Sequence, residues 1–363
     1  MKVLVLPDDG VNSILTAINR AKKTVEVVIF RLDRNQIEEA IRSAAARGIF
    51  VRALVAFANR GGEQQLRRLE TRFLDSGVTV TRTSDDLVRY HAKMMIVDRK
   101  TLYVLSYNYT TLDIEHSRAF GIVTRNKALV GEAIKLFEAD TARKPYTPQL
   151  NNFLVSPLNA RKQLAEFIRK ARKELLIYDP KISDTQMVRL LVERQKAGVE
   201  IRIIGRLGKK AAALKARRLE EIRLHTRTII RDRKDAFVGS QSLRKLELDS
   251  RRELGLIVKE RGVIGKLVET FEKDWGANEA QAEKAKPSVR EKQKPLDTRK
   301  LAKDLDPLNE SIKRAVKKVV KENGHKIIAD DETKETLKQA VKKTVKQAFK
   351  EAMQETAARV EGA

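Results

Sequence analysis

The chain has 363 residues, enough for two domain-sized cores. Its formal net charge of +26 and pI of about 10.1 favour a polyanionic partner, either nucleic acid or an anionic membrane surface. It contains no cysteine, which excludes disulfides, thiolate nucleophiles and cysteine-based zinc sites. No apolar run approaches the roughly 18–20 residues that span a bilayer, and no cleavage-site pattern follows Met1–Leu6. The expected location is therefore cytoplasmic, with any membrane contact peripheral.

Taken in chain order, the elements repeat. After Ala21-Lys22-Lys23 comes an apolar strand pattern, Thr24–Phe30. A helix pattern follows, with Ile37, Ala40, Ile41, Ala44 and Ala45 on one face, and Gly48 then leads into a strand over 49–55. The same series returns later. Ala171-Arg172-Lys173 precedes an apolar strand, Met187, Leu190, Leu191 and Val192 mark a helix, and Gly198 leads into Val199–Ile204. The register is constant, pairing Ala21 with Ala171, Gly48 with Gly198 and Arg52 with Arg202. Two α/β repeats are expected, over 1–145 and 150–275, joined at Lys144-Pro145-Tyr146-Thr147-Pro148.

The last core element reads as a helix ending near Trp275, with Val263, Leu267, Val268 and Phe271 inward. Residues 276–297 are rich in Ala, Glu, Lys and Gln and read as a flexible linker. Residues 298–363 read as a basic helical tail with two apolar stripes, one through Ile312 and Val316, the other through Leu337, Val341 and Phe349. Such stripes suit packing, self-association or an anionic membrane surface. From Gly276 onward there are 21 basic and 15 acidic residues, so most of the positive excess lies on the repeats.

Two of the four histidines occupy one frame. His91-Ala92-Lys93 runs to Asp98, and His225-Thr226-Arg227 runs to Asp232, so that His-x-(Lys/Arg)-x₄-Asp occurs once per repeat. On a strand, residues two apart point the same way, so each histidine shares a face with its cation. Cleaving a phosphodiester without a metal or other cofactor needs a nucleophile, a proton donor for the leaving oxygen, and fixed cations around the phosphoryl oxygens. Two histidines with Lys93 and Arg227 supply that set. Asp98 and Asp232 fall where hairpin turns are expected, so a turn-forming role competes with direct chemistry. A basic run at Arg206, Lys209, Lys210, Lys215, Arg217, Arg218 and Arg223 reads either as a funnel for an anion or as the solvated face of a helix with Leu214 and Leu219 inward.

The paired frames resemble the HKD motifs of the phospholipase D superfamily, over about residues 1–275. The resemblance implies two similar α/β halves packed face to face, with one active site at their seam. It also implies a covalent phosphohistidine on His91, with His225 as acid and then base, the reverse order staying open. Family members usually carry Gly-Ser-x-Asn and then a Glu after each motif. Here the first half keeps Ser106 and Asn108 and the second keeps Ser240, with Ser242 at the Asn position. Glu253 lies 28 residues after His225 and is expected to hold that ring's second nitrogen. The equivalent position after His91 is Ala119, for which Glu115 or Asp113 would have to substitute.

The leading functional expectation is hydrolysis or exchange of a phospholipid headgroup. The first alternative is a metal-independent nuclease or nucleic-acid-end phosphodiesterase. The second is a phosphate-binding scaffold weakened by Ala119, Ser242 and Arg227.

Overall fold

A computed structural model describes residues 1–284 except 59–61, 209, 210, 212 and 220, and the side chains as far as residue 276. The expected elements within 285–363, both tail stripes included, lie outside the described residues, as do Lys209 and Lys210.

The first half opens with β1 (Lys2–Leu6), α1 (Asn12–Asn19), β2 (Thr24–Ile29), α2 (Asn35–Ala46) and β3 (Phe50–Val55). It continues through α3 (Glu63–Leu74), β4 (Thr79–Arg82), β5 (Arg89–Tyr90), β6 (Met94–Val97) and β7 (Thr101–Leu105). It closes with α4 (Thr111–Glu115), β8 (Ser117–Thr124) and α5 (Lys127–Thr141). The second half repeats much of this order with β9 (Phe153–Ser156), α6 (Ala160–Arg169), β10 (Glu174–Ile182), α7 (Thr185–Lys196) and β11 (Glu200–Leu207). Then come β12 (Ala216–Arg217), β13 (Arg223–Leu224), β14 (Arg227–Arg231) and β15 (Asp235–Gly239). Last are α8 (Lys245–Asp249), β16 (Arg251–Val258) and α9 (Arg261–Lys284). α9 thus runs past Trp275 into the segment expected to be linker. The described residues of the basic stretch after β11 form the short strands β12 and β13 and no α-helix, the alternative the sequence offered, although Leu214 is buried as that reading required.

Each half builds one mixed sheet. The first has the order β1-β8-β7-β6-β2-β3-β4, and the second β12-β11-β10-β14-β15-β16-β5 with β9 beside β16. The helix-to-strand returns are sharp because Gly48 and Gly198 adopt φ of +80° and +86°, where a Cβ would be strained. One apolar core fills the seam, with Phe120 and Ile122 of the first sheet packing with Tyr178, Leu254 and Leu256 of the second, and α5 and α9 contributing Phe137 and Phe271. Two outer cores lie under the remaining helices, one per half.

Two devices bind the halves. The first is a strand exchange. β5, from the first half, pairs with β16 of the second sheet through Arg89↔Arg251 and Tyr90↔Arg252. In return β13 pairs with β8 of the first sheet through Arg223↔Ser117 and Leu224↔Arg118. The second is a pair of cross-seam ion pairs in matching positions. Arg118 meets Asp274 at 2.8 Å, and Arg252 meets Asp140 at 3.0 Å. Each aspartate also accepts a buried tyrosine hydroxyl, Tyr178 on Asp274 at 2.6 Å and Tyr90 on Asp140 at 2.7 Å.

The β6–β7 and β14–β15 hairpins turn at Asp98-Arg99 and Asp232-Arg233, all four residues having φ of 50–53°. Non-glycine residues tolerate this conformation only when something holds it. The Asp98 carboxylate accepts the backbone N–H groups of Lys22, Lys23 and Thr24, the shortest at 2.6 Å. Asp232 does the same for Arg172, Lys173 and Glu174, the shortest at 2.7 Å. These backbone bonds hold both carboxyls below the usual aspartate range despite the opposing effect of partial burial. Asp98→Ala and Asp232→Ala should each lose on the order of 2 kcal/mol of unfolding free energy in urea titrations. Asp98→Asn, which keeps one acceptor oxygen, should recover part of that loss.

Candidate active site

The strand exchange delivers both histidines. β5 ends at Tyr90, and the next residue, His91, donates its backbone N–H to the Arg252 carbonyl at 2.7 Å. β13 ends at Leu224, and His225 donates to the Arg118 carbonyl at 3.0 Å. Each histidine therefore stands on the edge of the opposite sheet before its chain turns back, into β6 or β14. His91 is 6% exposed and His225 8%. Both line one pocket of about 330 Å³, with Arg31, Arg89, Asn108 and Arg223 in its walls. A larger groove of about 710 Å³ lies beside the Asp98 turn, lined by Lys2, Arg20 and Arg125 among others, and contains neither histidine.

Because His91 docks beside Arg252, the carboxylate it meets is the next residue, Glu253. His91 Nδ1 lies 2.8 Å from Glu253 Oε2 and 3.1 Å from Oε1. Glu253 thus holds His91, not His225 as expected from spacing along the chain. With Nδ1–H donated to the carboxylate, Nε2 keeps its lone pair. By the same geometry His225 docks beside Arg118, and the residue that follows is Ala119, which carries no carboxylate. Asp113 fills the gap, its Oδ2 lying 3.2 Å from His225 Nδ1 but without hydrogen-bond alignment. That same oxygen accepts two bonds from Asn108, from its backbone N–H and its Nδ2, both 2.7 Å. The other Asp113 oxygen takes Arg223. Glu115, the other candidate substitute, pairs with Arg34.

Lys93 and Arg227 lie beneath the histidines rather than in the pocket wall. Lys93 Nζ donates to the His91 carbonyl and Arg227 Nη1 to the His225 carbonyl, both at 2.6 Å. Lys93 is fully buried. Desolvation lowers its pKa to about 7 and raises that of Glu253 to about 7. Burial, then the neighbouring cations, pushes both histidines well below the usual imidazole value. For His91 the cations are Lys93 and Arg227; for His225 they are Arg227 and Arg223.

The remaining expected residues separate. Ser106 Oγ accepts the Phe120 N–H at 3.0 Å and Ser240 Oγ the Leu254 N–H at 3.1 Å, so both serines brace strands. Asn108 reaches the pocket, while Ser242, its counterpart, bonds Asp179 away from it. Asp98 and Asp232 are not brought to the histidines; their carboxylates are committed to the hairpins. Sequence reasoning missed Phe30. The His91 ring meets it edge-on at 4.6 Å, and Lys93, Arg31 and Arg89 approach its ring centre within 5.4–5.6 Å. Its position at the carboxyl end of β2, where open α/β sheets hold ligands, was the available signal. Among the described residues no group of three or more His, Asp or Glu side chains is placed to hold a metal ion.

A family model described as "Cardiolipin synthase, PLD-like domain" matches residues 14–141 and 164–275. No curated protein matches the chain in sequence. Among solved structures, polyphosphate kinase from Porphyromonas gingivalis is similar at 18% identity and a TM-score of 0.63, over 76% of this chain and 50% of that one. The chain thus spans half the length of that kinase. Phosphatidylserine synthase from Haemophilus influenzae Rd KW20 is similar at 11% identity and a TM-score of 0.59, over 76% of this chain and 86% of the other. At such identities the likeness is one of fold. Taken with the matched family model and the paired α/β halves, it means that the chain belongs to the PLD-like family of the phospholipase D superfamily.

Proposed function

We propose that this chain breaks or transfers a phosphodiester through a covalent phosphohistidine on His91. The observation that carries the reading is the Glu253–His91 bond, which leaves Nε2 as the free ring nitrogen beside a second buried histidine. His225 takes up a proton as the anionic substrate enters; His91 Nε2 then attacks phosphorus, the P–O bond to the leaving group breaks, and the leaving oxygen takes that proton. Water or an alcohol then gives its proton to His225 as its oxygen attacks phosphorus, and the P–N bond breaks. The histidine that takes the phosphoryl group becomes cationic, and Glu253 offsets that charge. Asp113 is less suited to the same task because its charge is shared with Arg223, which favours His91 as nucleophile and His225 as proton carrier.

Headgroup hydrolysis or exchange on a phospholipid is the first substrate reading, supported by the cardiolipin-synthase description of the matched family. A nucleic-acid phosphodiester is the second, favoured by Arg31, Arg89 and Arg223 around the pocket. Turnover assays in excess chelator, on a phospholipid panel and on single- and double-stranded nucleic acids, separate them. His91→Ala and His225→Ala should each lower turnover about 10³-fold or more. Activity that survives both changes would sink the two-histidine mechanism, and no turnover on any substrate would favour a phosphate-binding scaffold.

Binding should also carry a proton signature. Burial lowers the Lys93 pKa to about 7, so it loses its proton as pH rises through neutrality, and an anion bound in the pocket above it favours the protonated form. Sulfate, which does not itself titrate there, should bind with proton uptake, and its affinity should fall as pH rises through 7. Calorimetry in two buffers of different ionisation enthalpy measures the uptake. Lys93→Met should reduce it.

A further inference from the structure

Past Arg223 the histidine pocket meets a second cavity of about 230 Å³, and Arg223 lines both. The second cavity also takes Arg206 and Arg218, with Pro180, Gly205 and Leu224 as its uncharged walls. Its position follows from the sheet. β11 and β12 run parallel with Ile204 opposite Arg217, which sets Arg206 in the last residues of β11 and Arg218 just past the end of β12, at the carboxyl ends of two adjacent strands. Ligands of open α/β sheets bind at such ends. Gly205 lets β11 run close against β10 at this wall, since a Cβ there would stand 1.8 Å from the Asp179 carbonyl oxygen.

The first half does not repeat this site. At the constant repeat offset Arg206 corresponds to Ala56. β3 pairs with β4 as β11 pairs with β12, so Arg218 corresponds to Arg82, which is bound by Glu70 at 2.9 Å. Neither Arg206 nor Arg218 meets a carboxylate among the described residues. Two uncommitted guanidiniums beside a third repel one another, and a planar fork of donors matches a phosphate. The uncharged walls leave room for the atoms that link one phosphate to the next.

We infer that Arg206, Arg218 and Arg223 form a second phosphate subsite, so that the substrate carries another phosphate a few bonds from the scissile one. This rests on reading the histidine pocket as a phosphodiester site. The test is calorimetric binding by the full chain at fixed ionic strength, with orthophosphate and inorganic tripolyphosphate as probes. Tripolyphosphate should bind about tenfold or more tightly than orthophosphate, a difference of about 1.4 kcal/mol. R206A/R218A should abolish that advantage and leave orthophosphate binding within about twofold, whereas R20A/K100A, an equal charge change at the distant groove, should retain it.

A 5′-phosphorylated dinucleotide and glycerol bisphosphate, each against its singly phosphorylated counterpart, then identify the source of the second phosphate. An advantage that R206A/R218A erases in either arm supports the subsite and names the source. An advantage that survives R206A/R218A, or is lost equally in R20A/K100A, would overturn it. Because the readout is binding, a chain that turns over nothing but keeps the advantage would refute the enzymatic reading and leave the subsite standing.

Discussion

The exchange of two-residue strands between the sheets is the constraint on which the site depends. β5 and β13 are too short to contribute much stability themselves. Their register nonetheless fixes the backbone of the residue that follows each, and in both cases that residue is the motif histidine. A buried backbone N–H must find an acceptor, and here the acceptor is a carbonyl of the opposite sheet, on Arg252 for His91 and on Arg118 for His225. The side chains of those two arginines are held by Asp140 and Asp274 across the seam. Backbone pairing and ion pairing thus act on the same residues, and a shift of one half against the other would have to break both.

Pseudo-symmetry explains why the two histidines are not chemically equal. The exchange presents each ring to the residue after the docking arginine, and the duplicated frame has diverged there to Glu253 in one half and Ala119 in the other. Asp113 compensates from six residues upstream. It arrives with Asn108 and Arg223 already bonded to it, so it meets His225 off the line of a hydrogen bond. One imidazole has a dedicated carboxylate and the other a shared one. That asymmetry is the ground on which different tasks are proposed for two residues in the same sequence frame.

The same duplication builds a structural charge network that serves the fold rather than the pocket. In the first half Arg52 and Arg99 share Glu26 and Glu138, joining β2, β3 and the Asp98 turn to α5. In the second, Arg202 and Arg233 share Glu174 and Glu272, joining β10, β11 and the Asp232 turn to α9. Arginine suits this use because one planar fork can serve two carboxylates at once. These four arginines are committed to four glutamates, which makes Arg206 and Arg218, facing no carboxylate among the described residues, the more informative ones.

The sequence by itself determined the repeat, the α/β elements and the two histidine frames, because these are local. Strand and helix periodicity, the glycines at positions 48 and 198, and a fixed spacing from His to Asp are all properties of neighbouring residues. Asp98 and Asp232 were legible as turn residues on the same ground. Which carboxylate serves which histidine was decided only by tertiary structure. Counting 28 residues from His225 reaches Glu253, yet the strand exchange carries that residue to His91, and no local signal encodes a pairing made across two sheets. Phe30 was hidden for the same reason, and so was the convergence of Arg206, Arg218 and Arg223 on one cavity, although the basic run that holds them was legible. Their neighbours are set by where strands end in space, and long-range register alone fixes that.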